Sequence, residues 1–206
     1  MNFYLLPGMG ADSSMYGDGF RKIDKLTLVD WPEYANEKSL SEVAKKVIRL
    51  YQVREGDIVG GSSLGGMIAA EISKYVKLKK IFLIGSSLMP ENINPLLRKA
   101  ASSVDAAPVC TLQKIAESAA VFSFGHIRKV IKMFSKADEF FMKAMCRAIC
   151  EWDGCPVPQS SVYKIHGKKD RIIFPEKDSA IIENAGHMIA MTHEIPVIDF
   201  IRYNLR

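Results

Sequence analysis

Six short runs of strand-forming residues are separated by turn signals and by stretches of helical period, and this alternation leaves the chain few architectures. The runs are Phe3–Leu6, Leu26–Val29, Asp57–Gly60, Lys80–Gly85, Val162–His166 and Ala180–Glu183. Between the second and third, the stretch from Ser39 to Tyr51 places Leu40, Val43, Ala44, Val47 and Tyr51 on one helix face. Ser39 followed three residues later by Glu42 fits a capping box, which satisfies orphan amides at a helix start. Strands that alternate with helices pair in parallel through crossovers, because a tight hairpin joins only antiparallel neighbours. The runs are apolar along much of their length, as strands covered on both faces must be. The expectation is an α/β fold, a three-layer sandwich around a mainly parallel sheet of about six strands.

One interval breaks the alternation. From roughly 88 to 158 the sequence reads as several helices without a clear strand, rich in Met and Phe, among them Phe122, Phe124, Met133 and Phe134. Seventy residues far exceed a simple crossover, so part of this segment is expected to form a helical lid over one end of the sheet. With 206 residues and 48% hydrophobic content, the chain can bury one sizeable core, and residues 1–206 are read as a single domain.

The charge balance narrows the partners. A net charge of +5, with acids mixed among the bases rather than a basic block interleaved with aromatics, argues against nucleic-acid binding. The N-terminal MNFYLLPGMG has neither a positive leader nor a long apolar core, and no membrane span is expected, so the reading is a cytoplasmic protein. Cys110, Cys146, Cys150 and Cys155 are read as reduced thiols. Cys146 and Cys150 stand i, i+4 on a helical stretch, but no CxxC or paired histidine accompanies them, and no metal site is expected.

Two glycine motifs compete for the chemistry. Gly8-Met9-Gly10 after the first run begins a dinucleotide fingerprint, with Asp30 near the position of a ribose-binding acid. Ser13 replaces its third glycine, and Pro7 removes an amide from the turn where a pyrophosphate would sit. The second motif, Gly61-Ser62-Ser63-Leu64-Gly65, fits G-x-S-x-G between a strand and a helix beginning near Gly66. A sharp turn there lifts the central Ser63 clear of the backbone, with Ser62 as its packed neighbour, and puts the Leu64 N–H at a helix N-terminus, where it can stabilise an oxyanion. Taken alone the motif is equally an ordinary glycine-rich turn.

A serine hydroxyl needs a histidine to take its proton and an acid to orient that histidine. Of His126, His166, His187 and His193, His187 lies on the loop after the last run, and Asp170 lies on the loop after the preceding one. Both emerge at the same edge of a parallel sheet as Ser63, in the chain order Ser, Asp, His. His166 is read as structural, His193 as a capping or surface residue, and His126 as solvated within the lid. Lys168, Lys169 and Arg171 are read as facing solvent.

The stretches LLPGMG, GGSSLGG, IHGKKDRIIFP and AGH together resemble the α/β-hydrolase superfamily, and the likeness runs from the first strand to the last helix. That resemblance implies Ser63 as nucleophile, His187 as general base and acid, Asp170 as the orienting acid, and Met9 as a second oxyanion N–H beside Leu64. It implies an α/β-hydrolase fold lacking the first two strands, with no cofactor and a small-molecule acyl substrate. The resulting expectation is a serine hydrolase for a carboxylic ester or thioester, esterase- or thioesterase-like. A non-catalytic ligand-binding protein on the same fold and an NAD(P)-dependent oxidoreductase remain alternatives, and oligomeric state is not legible.

Overall fold

A computed structural model describes residues 1–101, 113, 125–158 and 161–206. All six expected runs form strands: β1 Phe3–Leu6, β2 Leu26–Leu28, β3 Ile58–Ser62, β4 Lys80–Ile84, β5 Val162–Gly167 and β6 Ala180–Ile182. They make one sheet in the order β2-β1-β3-β4-β5-β6, and every neighbouring pair is parallel. The C-terminal ends of all six strands therefore share one edge.

Two boundaries differ from the sequence expectation. β3 continues through Gly60 and Gly61 to Ser62, and the helix after it, α2 (Leu64–Ile72), begins at Leu64 rather than near Gly66. Glycine marks a turn where the chain is free. Here β1 and β4 hold it on both sides, with Gly60 paired to Leu5 and to Phe82. A Cβ at Gly60 would stand 2.7 Å from the Cβ of Phe82, so the glycine makes room for that ring. Phe82 is fully buried and packs between Phe3 and Tyr163, each 5.4 Å away by ring centroids.

The capping signal holds with a small shift. Helix α1 (Leu40–Tyr51) is capped by Ser39, whose hydroxyl accepts the Glu42 N–H at 3.2 Å, while the Glu42 carboxylate reaches the N–H of Lys38. Leu40, Val43, Ala44 and Val47 are buried against one face of the sheet together with Met67, Ile68 and Ile72 of α2. The opposite face is covered by Phe20 and by Val197, Ile198 and Ile201 of the C-terminal helix, Glu194–Leu205. Three layers result, because each face of the sheet presents apolar side chains that need a cover.

Between β4 and β5 lie α3 (Pro95–Ala101), α4 (Gly125–Lys136) and α5 (Glu139–Cys150). No strand occurs there among the described residues, apart from an isolated antiparallel bridge joining Ile93 to Ile173. Phe122 and Phe124 lie outside the described residues, as does Cys110. Two helices complete the chain: α6 (Ile189–Thr192) and α7, the C-terminal helix above. Among the described residues no helix is long and apolar enough to cross a membrane.

Candidate active site

The turn from β3 into α2 carries a non-glycine residue with a positive φ, Ser63, at φ 52° and ψ −118°. Such a conformation costs roughly 1–3 kcal/mol and persists only where neighbours over-determine it. Here Gly61 and Gly65 approach so closely that a Cβ on either would strike backbone, Gly65 itself in the first case and the Leu6–Pro7 backbone in the second. Ser63 N–H continues the ladder to Ile84 O at 3.1 Å, and Ser63 O accepts the Gly66 and Met67 N–H groups. Ser62 is buried and Ser63 is half-buried, with its side chain on the open edge.

His187 and Asp170 meet Ser63 there. His187 Nε2 lies 3.0 Å from Ser63 Oγ, and its Nδ1 lies 2.8 Å from Asp170 Oδ2. The other carboxylate oxygen of Asp170 accepts the N–H groups of Ile172 and Ile173, at 2.9 and 3.0 Å. Burial works against the charged carboxylate, yet the His187 hydrogen bond and charge and these two amides outweigh it, holding the Asp170 carboxyl below its usual range. An ionised carboxylate can only accept, so His187 Nδ1 donates to it, and the bare Nε2 faces the Ser63 hydroxyl.

Met9 sits in the turn after β1 and Leu64 opens α2. A Cβ on Gly8 would lie 3.7 Å from the Cβ of Ser63, which shows how closely the Met9 turn passes the serine. A cavity of about 360 Å³ opens beside Ser63 and His187, and Met9, Met15, Met133, Met188 and Met191 line it with Val130, Phe134 and Ile172. Five of the chain's ten methionines thus surround one space. A second recess of about 200 Å³ shares Met9, Ser63 and Ile172 and is bounded by Met67, Leu97 and Arg98.

The other sequence candidates fall elsewhere. His126 is exposed on α4, and His193 stands at the start of α7 without a side-chain capping bond, its Nδ1 paired with the Thr192 hydroxyl. Lys168, Lys169 and Arg171 are exposed, Lys168 pairing with Glu183. Asp30 accepts the Ser13 N–H at 2.7 Å, so the acid of the dinucleotide reading is engaged in joining the ends of β1 and β2. Among the described residues no group of three His, Cys, Asp or Glu is arranged to hold a metal. Burial pushes the thiols of Cys146, Cys150 and Cys155 above their ordinary values.

Sequence reading passed over the segment Gly85-Ser86-Ser87 after β4. Gly85 has φ 55°, and a Cβ there would stand 2.9 Å from His187 O. Ser87 accepts the Asn92 side-chain amide and donates to Glu176, which pairs at 2.6 Å with the fully buried Lys164. A signal was present: Gly85-Ser86-Ser87-Leu88 repeats the Gly61-Ser62-Ser63-Leu64 tetrapeptide at the end of the next strand.

Parallel sheet order, strand-to-helix elbow and loop positions together match known architectures. Over 100% of this chain and 89% of its own, an esterase from Thermogutta terrifontis superposes with a TM-score of 0.73 at 18% identity. The chain has the α/β-hydrolase fold. A hydrolase from Oleispira antarctica (TM-score 0.72, 18% identity, 99% of this chain and 92% of that one) shares it. So does an enol-lactonase from Burkholderia xenovorans LB400 (TM-score 0.72, 15% identity, 99% and 91%). No protein-family model and no curated protein sequence matches the chain. Within the α/β-hydrolase fold, Ser63, Asp170 and His187 stand at the C-terminal ends of β3, β5 and β6, the edge where ligand sites form in parallel sheets.

Proposed function

We propose that the protein is a serine hydrolase that cleaves a carboxylic ester or thioester through an acyl-enzyme intermediate. The observation that carries this reading is the hydrogen-bonded run from Ser63 Oγ through His187 to Asp170, at a strained elbow facing an apolar cavity. The fold alone would not carry it, since the same architecture hosts many chemistries.

In this mechanism the Ser63 hydroxyl passes its proton to His187 Nε2 as its oxygen attacks the carbonyl carbon. Asp170 stabilises the imidazolium that forms and keeps the ring in register. The N–H groups of Met9 and Leu64 receive the oxyanion, the latter with the favourable field of the α2 N-terminus. Collapse breaks the bond to the leaving alcohol or thiol, which takes the proton from His187. Water then enters, gives a proton to His187 and attacks the acyl carbon. Collapse of this second adduct breaks the bond to Ser63 Oγ, which takes the proton back from His187 as the carboxylic acid leaves. No step calls for a cofactor.

The methionine-lined cavity supports an apolar arm on the substrate. Flexible thioethers adapt to chains of varied shape, and among the described residues the lining carries no Asp, Glu, Lys or Arg side chain. The helices between β4 and β5 act in this reading as a lid inserted into a single domain, since Val130, Met133 and Phe134 of α4 form one wall of the cavity.

Labelling with a fluorophosphonate probe tests the proposal. Adduct is expected on Ser63, absent in Ser63→Ala and strongly slowed in His187→Ala. A folded protein that takes no label would sink the hydrolase reading and leave a ligand-binding protein on this fold.

A further inference from the structure

His166 and Ser86 are both fully buried, and the mechanism above uses neither. The Ser86 hydroxyl donates to Ser63 O at 2.7 Å. His166 Nε2 lies 2.8 Å from Ser86 O, and because a carbonyl only accepts, that nitrogen carries the proton. Burial holds the imidazole of His166 below its ordinary pKa, which favours the neutral ring with a bare Nδ1. Nδ1 has no hydrogen-bond partner among the described residues and stands 3.9 Å from Asp170 Oδ2, the same oxygen that receives His187. Hydrogen bonds thus run from His166 to Ser86 and from Ser86 to the Ser63 carbonyl, while His166 and Asp170 are neighbours with no hydrogen bond between them.

The end point of that run matters because Ser63 C=O and Leu64 N–H belong to one planar peptide group. Gripping the oxygen fixes the direction of the N–H at the other end. We propose that Ser86 and His166 are positioning residues for the reaction read above: Ser86 aims the Leu64 N–H at the oxyanion by holding the shared peptide, and His166 holds Ser86. Two amides of α2 also bind the Ser63 oxygen, and both come from the helix that the peptide opens. The Ser86 hydroxyl comes from the loop after β4 and holds the same oxygen from outside the helix. Room for it is made by Gly66, whose Cβ would otherwise occupy the Ser86 side chain's place. The final glycine of GGSSLGG thus serves the neighbouring strand's serine.

This inference rests on the hydrolase reading and is tested apart from it. Ester turnover and affinity for an alkyl boronic acid, which forms a tetrahedral adduct on a reactive serine, are measured for the wild type, Ser86→Ala, His166→Gln and His166→Leu. A donor aimed at the oxyanion acts in the transition state and not on bound substrate. Ser86→Ala is therefore expected to lower kcat roughly tenfold or more, in line with the cost of small misplacements at reacting centres, and to leave KM within about twofold. Boronic acid affinity should fall by the same factor as kcat. His166→Gln keeps an N–H near the Nε2 position and is expected to behave as wild type, whereas His166→Leu should repeat the Ser86→Ala loss. Combining Ser86→Ala with His166→Leu should cost no more than either alone, because both break one connection. Wild-type kcat and inhibitor affinity in Ser86→Ala would overturn the proposal, and His166→Gln as impaired as His166→Leu would overturn the pairing. A wild type that neither turns over ester nor takes a fluorophosphonate would instead refute the underlying hydrolase reading. If His166→Leu does not fold, Ser86→Ala alone decides.

Discussion

Asp170 and His187 lie 2.8 Å apart, carboxylate to Nδ1, although they are seventeen positions apart in the chain with the whole of β6 between them. That contact sets the tautomer of the imidazole. Asp170→Asn replaces an acceptor with a side chain that can donate, so the ring is expected to turn its proton toward Ser63. Turnover should fall on the order of 10³–10⁴-fold, as wrong-tautomer substitutions do in serine hydrolases. Steady-state ester hydrolysis checks this, with circular dichroism to show that the variant is folded.

The same carboxyl links pH to stability. Its folded pKa lies below the unfolded value, so its contribution is fully present above the unfolded carboxylate value of about 4 and is lost as pH falls through the lower folded value. Urea midpoints of the wild type should therefore decline through this acid window. The Asp170→Asn protein should show a shallower decline there, and identical slopes would contradict the assignment.

Gly65 faces the Leu6–Pro7 backbone without room for a side chain. Gly65→Ala must push β1 away from α2, and forcing even one methyl into a packed site costs about 1–3 kcal/mol. Denaturant unfolding should register that loss. Label incorporation at Ser63 should fall as well, because the displaced strand carries the Met9 turn.

Chain-length preference tests the methionine cavity. Met133 is buried in its wall, and Met133→Ala should favour longer acyl or alkyl arms, while Met191→Trp should reject them. Each methylene that loses its place is worth roughly 10- to 200-fold in kcat/KM, so 4-nitrophenyl esters of graded length should resolve the shift. No change in profile would remove the cavity from the substrate's path.

Lys164 is buried on β5 between Glu176 and Asp178, at 2.6 and 3.0 Å. Burial disfavours its charge, but the two carboxylates outweigh that and raise its pKa. Lys164→Met leaves the largely buried Glu176 with the Ser87 hydroxyl but no cation, and is expected to destabilise the protein by about 2–3 kcal/mol. The loop from Asp170 to Asp178 should loosen first, visible as faster amide hydrogen exchange at Ile172 and Ile173.

Fold class was legible in the sequence because each element announces itself locally. The apolar runs alternate with a helix whose buried stripe is spaced at 3.6 residues, and parallel pairing follows from the crossovers between them. Ser63, Asp170 and His187 could be nominated for a related reason: each follows a strand, and parallel strands deliver such loops to one edge. Boundaries were less legible. Gly60 and Gly61 look like a turn in one dimension and are strand in three, because pairing on both sides removes the freedom that makes glycine a turn residue.

What the sequence by itself determined was the class of fold, the edge at which chemistry can assemble and the register that singles out Ser63 over Ser62. Only the tertiary structure decided that His187 Nε2 reaches Ser63, that five scattered methionines share one cavity, and that buried His166 binds Ser86, which in turn binds the Ser63 carbonyl. Local patterns report what a residue's neighbours along the chain allow. Hydrogen bonds of 3 Å between residues as far apart as Ser63 and His187 depend on how strands register and helices pack, and no local pattern encodes that sum.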